Sequence, residues 1–388
     1  MLRGIISERS TELPSIVIGK LLKMAVEDKS VISLGPGEPD FGTPKEIITA
    51  ARRALSEGYT HYSPPQGRLE LRKAIAEKLK KDNKIDADPD DIIVTTGSTE
   101  GILLSLMTMV DPGEGVMITD PGFLAYRPTV EILNGMPLSV QLREEHGWQI
   151  DVDELERSIA PEKTNAIIIN TPTNPTGTVY TKSALEDLAD FAIEHDIMII
   201  SDEAYEKLTY DGSKHISIGS LNGMGDRVLT MQSASKTYAM AGFRIGWMHG
   251  PGKLVKAMTK LHLFSTLSAP TVSQVAVTAA LKGSQKATEE MRKEYDRRRR
   301  IMVKRLNRMG LHCVEPKGAF YAFPKISHLT KKSSFKFAEW LLREGKVAVV
   351  PGTEFGKHGE GYIRLSYATA YDKIATAMDR MGKALKKL

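Results

Sequence analysis

Short runs of apolar residues alternate with segments of helical periodicity between about Asp91 and Met248. The helical segments, such as STEGILLSLMTMV and SALEDLADFAIEHD, place their apolar residues three and four positions apart. The apolar runs are rich in isoleucine and valine, and they read DIIVTT, GVMITD, AIIIN, DIMIISD and RVLTMQ. Continuous apolar strands separated by helices are typical of a mostly parallel sheet covered by helices on both faces. The pattern therefore predicts an α/β fold for this region.

The pattern changes after about residue 285. A long charged helix, ATEEMRKEYDRRRRIMVKRLNRMG, leads to the strand-like run CVEPKGAFYAFPKI. A second helix (SSFKFAEWLLREG), two more strand-like runs (VAVVPGTEF and YIRLSYA) and a final basic amphipathic helix follow. We interpret the block Arg297–Arg300 as part of the solvated face of the long helix. This mixture predicts a smaller α+β unit whose strands pair antiparallel.

The chain is long enough for two cores. Residues 1–45 hold one amphipathic segment, PSIVIGKLLKMAVEDKS, and then the Gly/Pro-rich connection GPGEPDFGTP. Because both chain ends flank the central unit, we expect residues 1–45 to pack with a small C-terminal domain, residues 285–388. Residues 46–284 would then form the large domain.

Composition narrows the class of protein. The net charge of +5 is the small difference between 53 basic and 48 acidic residues, which favours small anionic ligands and gives no reason to expect nucleic acid. Cys313 is the sole cysteine, which excludes an intrachain disulfide and a thiolate metal cluster and suits a reducing compartment. No run approaches the roughly 18 apolar residues of a membrane span, and the N-terminus lacks a signal-peptide core. We expect a cytoplasmic protein without a metal or a membrane partner.

Chemically distinctive residues follow the predicted strands at the point where each strand ends. In open α/β sheets, ligands bind outside the carboxyl ends of the strands. Gly97-Ser98-Thr99 opens a helix, whose free N–H groups can bind an anion. Asp202 ends an apolar strand, where a carboxylate is costly unless a cation or donor meets it. The other strand ends are followed by Phe123 and Tyr126, by Asn174, and by Ser233, Ser235, Lys236 and Arg244.

One ligand accounts for the whole set. Pyridoxal phosphate carries a phosphate, a flat ring, a basic ring nitrogen, a phenolic oxygen and an aldehyde. The aldehyde condenses with a lysine amine, and an acidic residue that keeps the ring nitrogen protonated lets the ring accept electrons. Lys236 and Asp202 would supply that lysine and that acid. The sequence therefore predicts pyridoxal 5′-phosphate as the cofactor.

These residues lie in motifs that resemble those of the fold-type I, class I aminotransferases. The matching motifs are GEPDF, PTNPTG, SDEAY, SASKTYAMAGFRIGW and YIRLSYA. Tyr205 lies three residues after Asp202, and Arg244 lies eight residues after Lys236. The resemblance covers essentially the whole chain, and the sequence is most similar to archaeal aromatic- or aspartate-type members of the family.

The resemblance implies a role for each cofactor contact. Lys236 would bond to the aldehyde and shuttle the substrate proton, and Asp202 would pair with the ring nitrogen. Asn174 and Tyr205 would hydrogen-bond to the phenolic oxygen, and Phe123 would stack on the ring. The phosphate would be held by Gly97, Ser98, Thr99, Ser233, Ser235 and Arg244.

It also implies a substrate site and a partner. Arg364, with Asn174 and the backbone of Gly37, would bind the substrate α-carboxylate, which suits a bidentate guanidinium. Tyr62 would reach the phosphate of a neighbouring subunit, so the active sites would be shared in a homodimer. Further candidates for the pocket lining are Tyr126, Tyr321 and Ile16–Ile18.

The activity implied is a ping-pong exchange through pyridoxamine phosphate between an L-amino acid and a 2-oxo acid such as 2-oxoglutarate. The apolar Ile16–Ile18 segment favours aromatic donors in addition to aspartate and glutamate. Cofactor contacts are shared with diaminopimelate and alanine aminotransferases, cyclopropane-carboxylate synthases and β-lyases, so these alternatives stay open. A non-enzymatic regulator is disfavoured, because only about 40 residues precede the fold.

Overall fold

A computed structural model of the chain describes residues 5–7, 10–11 and 28–388. The candidate lining segment Ile16–Ile18 and most of the amphipathic segment around it lie outside the described residues. Among the described helices, none combines the length and apolar character that crossing a membrane requires.

A seven-stranded sheet forms the centre of the protein. Its order is β2-β8-β7-β6-β5-β3-β4, and β8 runs antiparallel to β2 and β7, whereas the other neighbours are parallel. The strands are β2 (Ile92–Thr95), β3 (Gly115–Asp120), β4 (Met136–Gln141), β5 (Thr164–Asn170), β6 (Met198–Asp202), β7 (Val228–Ser233) and β8 (Gly246–His249). The mostly parallel sheet predicted from the sequence is confirmed.

Helices cover both faces of this sheet. They are α1 (Lys45–Ser56), α2 (Leu69–Lys78), α3 (Ser98–Met109), α4 (Tyr126–Ile132), α5 (Val152–Ser158), α6 (Lys182–Glu194), α7 (Ala234–Thr237), α8 (Gly252–Ser265) and α9 (Thr271–Lys282). Successive strand residues point to opposite faces. Ile199 accordingly joins the core under α6, while Ile200 joins the core under α3 and α8. Burial on both faces explains why these strands are continuously apolar.

The five apolar runs form β2, β3, β5, β6 and β7, whereas β4 and β8 were not predicted. Strand β4 is an edge strand whose residues are mostly half-buried, so its sequence, MPLSVQ, lacks the apolar run of a central strand. Strand β8 has only four residues, GWMH. Both were missed because their hydrophobic signal is weak.

A second group of elements surrounds two small sheets. The two-stranded sheet pairs β1 (Ile32–Ser33) in parallel with β10 (Val347–Ala348), and so joins the two ends of the chain. The strands β9 (Tyr321–Ala322), β11 (Val350–Pro351) and β12 (Ile363–Ser366) form an antiparallel sheet in the order β11-β12-β9, as the sequence predicted. The helices are α10 (Lys286–Arg308), α11 (Ser334–Gly345) and α12 (Tyr371–Leu385). The domain boundaries at 45 and 284 stay predictions.

The interpretation of Arg297–Arg300 as a solvated face is wrong for two of its members. The side chains of Arg298 and Arg299 are 7% and 0% exposed. They lie on the helix face that also buries Tyr295 and Met302, because residues three and four apart share a face. Arg299 is paired with Asp296, Asp211 and Glu315 at 2.7, 2.8 and 3.1 Å. Within this charged run, Arg299 is therefore a buried residue that forms three ion pairs.

Replacing Arg299 with alanine should be costly, because its acidic partners would lose a buried counter-charge. We expect the free energy of unfolding to fall by about 3 kcal/mol, measured by urea denaturation. The matched control is Lys293→Ala on the same helix, whose side chain is 70% exposed and 3.8 Å from Glu289. That change should stay within about 0.5 kcal/mol of the parent protein. Equal losses for both variants would contradict the buried network.

Candidate active site

Polar side chains meet at the carboxyl edge of the central sheet, next to strand β12. Asn170 and Asp202 are register partners at the ends of β5 and β6. Asn170 Nδ2 donates to the backbone oxygen of Asp202 at 2.9 Å, and its Oδ1 accepts from the Asn174 N–H at 2.7 Å. Arg364 on β12 reaches Asn174 Oδ1 at 3.0 Å. These contacts bring Asn174, Asp202 and Arg364 into one site.

Lys236 lies in the one-turn helix α7, directly after β7. Ser233 caps this helix, and its Oγ accepts from the Ser235 N–H at 3.2 Å. Lys236 Nζ donates to the backbone oxygen of Gly37 at 2.5 Å. Burial lowers the pKa of Lys236 to about 8, and the nearby charge of Arg364 acts in the same direction. A substantial fraction of this amine is therefore neutral near physiological pH.

Asp202 is only 6% exposed and ends β6. Its Oδ2 accepts from Tyr126 Oη at 2.8 Å, and its Oδ1 accepts from the Ala204 N–H at 3.1 Å. Burial raises the pKa of Asp202 to about 6, although both hydrogen bonds and the charge of Lys236 favour the ionised form. The site thus holds an acid whose ionisation is held back mainly by lack of water.

Two tyrosines named as candidate lining residues have specific partners. Tyr126 is buried, and its hydroxyl is the donor to Asp202 described above. Tyr321 Oη lies 2.9 Å from Tyr205 Oη, and the Tyr321 ring centroid is 4.5 Å from Arg364 Cζ. Sequence reasoning missed the contact between Tyr126 and Asp202. The proximity of Tyr126 to Phe123 in the sequence gave no sign of a partner 76 residues away.

Arg364 is a buried cation with an unused donor. It is 3% exposed, Nη1 and Nη2 donate to Asn174 and to the Gly35 backbone oxygen, and its Nε has no partner among the described residues. Its Cζ lies 4.8 Å from the Phe355 ring centroid. A buried guanidinium bonded to neutral groups can still accommodate an anion, so its geometry fits a carboxylate ligand.

The predicted anion cradle is assembled around Gly97. This residue has φ +77° and precedes helix α3. A Cβ at Gly97 would lie 2.5 Å from Arg244 Nη2, so only glycine permits this approach. A Cβ at Gly246, which pairs with Ser233, would lie 2.8 Å from the Ser98 backbone nitrogen. The helix start, the arginine and the Ser233 region therefore adjoin one another.

The remaining predicted residues differ in their exposure. Phe123 is half-buried and packs edge-to-face on Tyr126, with ring centroids 5.4 Å apart. Thr99 and Arg244 are exposed, and Ser235 is buried. Tyr62 is 83% exposed, and among residues 28–388 no contact links it to the group around Lys236.

The sequence and the fold are those of an enzyme family. The family described as aminotransferase class I and II matches residues 29–381, and the chain belongs to it. The predicted family, fold class and transferase activity are thereby confirmed: the protein is an aminotransferase. Membership of this family implies a pyridoxal phosphate cofactor.

Individual relatives are similar over nearly their full length. Aromatic-amino-acid aminotransferase 2 of Thermococcus litoralis is 50% identical, over 98% of each chain. An aspartate aminotransferase of Pyrococcus abyssi is 51% identical, over 95% of each chain. The crystal structure of an aromatic aminotransferase from Pyrococcus horikoshii OT3 has a TM-score of 0.91 and 49% identity, covering 95% of this chain and 99% of that one.

The residues present fit the cofactor that the family implies. The cradle at Gly97 would be filled by a Cβ and offers a helix N-terminus and Arg244, which suit a phosphate. Lys236, with its lowered pKa, suits a carbonyl group, because a neutral amine is the nucleophile. The buried Asp202, whose hydrogen-bond partners in the described part of the chain are the neutral Tyr126 hydroxyl and Ala204 N–H, suits a protonated ring nitrogen.

Replacing Asp202 with asparagine should stabilise the cofactor-free protein at pH 7. The folded-state pKa of about 6 lies above the ordinary 3.8, so the contribution of Asp202 is fully present below pH 3.8 and is lost as the pH rises through 6. The cost at pH 7 is roughly 3 kcal/mol, at about 1.4 kcal/mol for each pKa unit. Urea denaturation of both proteins from pH 4 to 8 measures it.

Asparagine keeps the shape and an acceptor for the Ala204 N–H, and its NH₂ group can donate to the Tyr126 hydroxyl, which can accept as well as donate. The difference between the two proteins should therefore shrink towards zero near pH 4. A variant that is less stable than the parent protein at pH 7 would contradict this account of the buried acid.

Proposed function

We propose that this enzyme binds pyridoxal 5′-phosphate at the sheet edge and transfers an amino group from an L-amino acid to a 2-oxo acid in a ping-pong cycle. The observation that carries the proposal is the placement of a half-buried, partly neutral lysine, Lys236, near a buried guanidinium, Arg364. Lys236 can exchange a proton with the α-carbon of the substrate, and Arg364 can bind the carboxylate of the same substrate. Pyridoxamine phosphate would link the two halves of the cycle.

When bound, the cofactor supplies a ring that accepts the electrons of the substrate α-carbon. In this proposal Asp202 holds the proton on the ring nitrogen, and Asn174 and Tyr205 donate to the phenolic oxygen. Phe123 covers the ring. The phosphate contacts are Gly97, Ser98, Thr99, Ser233, Ser235 and Arg244.

Lys236 Nζ acts in two ways. It would hold the cofactor through its carbonyl group in the resting enzyme, and as a free amine it would accept and return the proton of the substrate α-carbon. A general base works best when its pKa is near the operating pH, and burial brings the pKa of Lys236 to about 8. Its hydrogen bond to the Gly37 oxygen holds the amine at the edge of the site.

Arg364 orients the substrate. Its guanidinium is held on one side by Asn174 and Gly35 and lies over the Tyr321 ring, so its direction is fixed before substrate arrives. We propose that the α-carboxylate binds here with Asn174 and the backbone of Gly37. A fixed carboxylate places the α-hydrogen towards Lys236.

We propose aspartate, glutamate and aromatic amino acids as donors, and 2-oxoglutarate as an acceptor. The relatives named above are aromatic and aspartate aminotransferases, which supports both donor classes. The rings of Tyr205, Phe320 and Tyr321 pack edge-to-face on one another, and the Tyr321 ring lies against Arg364, so this side of the site is aromatic. A panel of amino donors with 2-oxoglutarate ranks the two classes. The cytoplasmic location stays a prediction.

We propose further that two copies form a homodimer with shared active sites. Tyr62, Arg244 and Thr99 are exposed although the proposal places them at the phosphate. An apolar patch also faces outwards at the end of α8, where Phe264 is 80% exposed and Leu267 36% exposed. Such surface suggests a protein contact, and a second copy would cover it and supply Tyr62.

The half-reaction tests the proposed chemistry. Adding an amino acid to the purified enzyme, without a 2-oxo acid, should convert the visible absorbance of the bound cofactor to that of pyridoxamine phosphate, and 2-oxoglutarate should restore it. Lys236→Ala should fold normally and lose turnover by at least about a thousandfold, because general base catalysis and the covalent bond are both lost. Lys182→Ala, an exposed lysine on α6, should behave as the parent enzyme. Near-normal turnover by Lys236→Ala would overturn the proposal.

The dimer is tested by placing a charge on the exposed apolar patch. Phe264→Asp should give a monomer in sedimentation equilibrium and bind the cofactor more weakly, because Tyr62 of the second copy would be withdrawn. The control Lys182→Asp changes an exposed position on α6 and should leave the mass unchanged. An unaltered dimer in Phe264→Asp would exclude this patch from the interface.

A further inference from the structure

The turn after strand β6 carries two interleaved pairs of residues. Asp202 and Tyr205 belong to the proposed cofactor site, and each is followed by a glutamate, Glu203 or Glu206. Glu203 is fully buried and Glu206 is 9% exposed. The Glu206 N–H donates to the Glu203 backbone oxygen at 3.0 Å and closes the turn. A shift of the glutamate pair would therefore shift the other pair as well.

The Glu203 carboxylate is surrounded by hydrogen-bonding groups from several segments of the chain. Oε2 accepts from Ser217 Oγ at 2.7 Å and from Gln232 Nε2 at 3.1 Å. The full set around the two oxygens is Asn83, Ser201, His215, Ser217 and Gln232, at 2.7 to 3.3 Å. A carboxylate without water is costly unless its lone pairs are used, and here they are occupied.

Glu206 belongs to the same buried network. Its Oε2 accepts from Asn83 Nδ2 at 2.8 Å and from Gln232 Nε2 at 3.1 Å, and its Oε1 pairs with Lys78 Nζ. Lys78 Nζ also donates to Asn83 Oδ1 at 2.8 Å and to Gln232 Oε1 at 2.7 Å. Both glutamates are thus tied to the same two amides.

Gln232 connects this network to the segment that carries Lys236. It lies on β7 directly before Ser233, which caps the helix of Lys236. Glu203 follows the last residue of β6, and its N–H donates to the Met231 backbone oxygen on β7 at 2.8 Å. The bond from Gln232 to Glu203 therefore joins the end of β6, where Asp202 lies, to the end of β7, which leads into the helix of Lys236.

We propose that Glu203 is a positioning residue for the transamination site. Through Gln232, Ser217 and Asn83 it fixes where the turn after β6 lies relative to the end of β7, and so sets the placement of Asp202 against Lys236. This inference rests on the proposed function, because the roles of Asp202 and Lys236 belong to it.

The test is Glu203→Gln, which preserves size but turns one acceptor into a donor. The amide oxygen can take the place of Oε2, so Asn83, Ser217 and Gln232 would meet a neutral acceptor in place of a charged one, and the bonds that hold the turn would weaken. We expect kcat to fall about tenfold, the scale of one lost hydrogen bond to a charged group. The KM for the amino donor should change less than about threefold, because Arg364 lies on β12 outside the network. The pH midpoint of the bound cofactor's visible absorbance should also shift.

Two further variants separate positioning from plain stability. Glu154→Gln alters another buried carboxylate, 5% exposed and paired with Arg143 and Arg157, on helix α5 next to the edge strand β4. It should lower the melting temperature and leave kcat and the absorbance midpoint unchanged. Ser217→Ala removes one donor and keeps the Glu203 charge, so it should lower kcat two- to threefold and move the midpoint in the same direction as Glu203→Gln.

The inference is overturned when Glu203→Gln and Ser217→Ala keep the parent values of kcat and of the midpoint while losing thermal stability as Glu154→Gln does. Where Glu203→Gln does not fold, Ser217→Ala decides by the same two readouts. Failure of the proposed function looks different: the parent enzyme itself would then show no absorbance change with an amino acid.

Discussion

Removal of water from three ionisable groups is the constraint on which this site depends. Lys236, Asp202 and Arg364 are each held at the sheet edge where solvation is poor, and burial is the largest influence on the pKa of each. The effects have opposite signs for the acid and the base, so the pKa values of Asp202 and Lys236 lie closer together than in water. For Lys236 the shift brings the pKa towards the operating pH, which a general base needs.

The fold makes that burial possible because the parallel strands end at a common edge and β12 lies against it. Neutral partners hold each charged group in place: Tyr126 for Asp202, Gly37 for Lys236 and Asn174 for Arg364. Neutral partners fix geometry without cancelling charge, so the charges remain available to a ligand. Ionised Asp202 lowers the free energy of unfolding because it is buried, and the residue illustrates how an active site can reduce the stability of a protein.

The sequence predicted the parts of the fold that depend on local pattern. Strands buried on both faces are recognisable in the sequence as runs of isoleucine and valine, and the site residues follow directly after those runs. Strands β4 and β8 lacked this signal, since one lies at an edge and the other has four residues. The burial of Arg298 and Arg299 could have been predicted from their helical spacing to Tyr295 and Met302. The run of four consecutive arginines instead favoured a solvated face. The contact of Tyr126 with Asp202 and the bonds around Glu203 join segments far apart in the chain, and no local pattern encodes them.

The pairing of β1 with β10 also determines when, during synthesis of the chain, the active site can form. The Gly35 oxygen accepts from an arginine 329 residues further along the chain, and the Gly37 oxygen accepts from a lysine 199 residues further along. Residues 32–35 are therefore synthesised long before the segments that pair with them. Contacts of such sequence separation form slowly, because a long loop must close before they are made. The bond from Arg364 to Gly35 can form only after the 329 residues between them have been synthesised, and only then does the catalytic edge become complete.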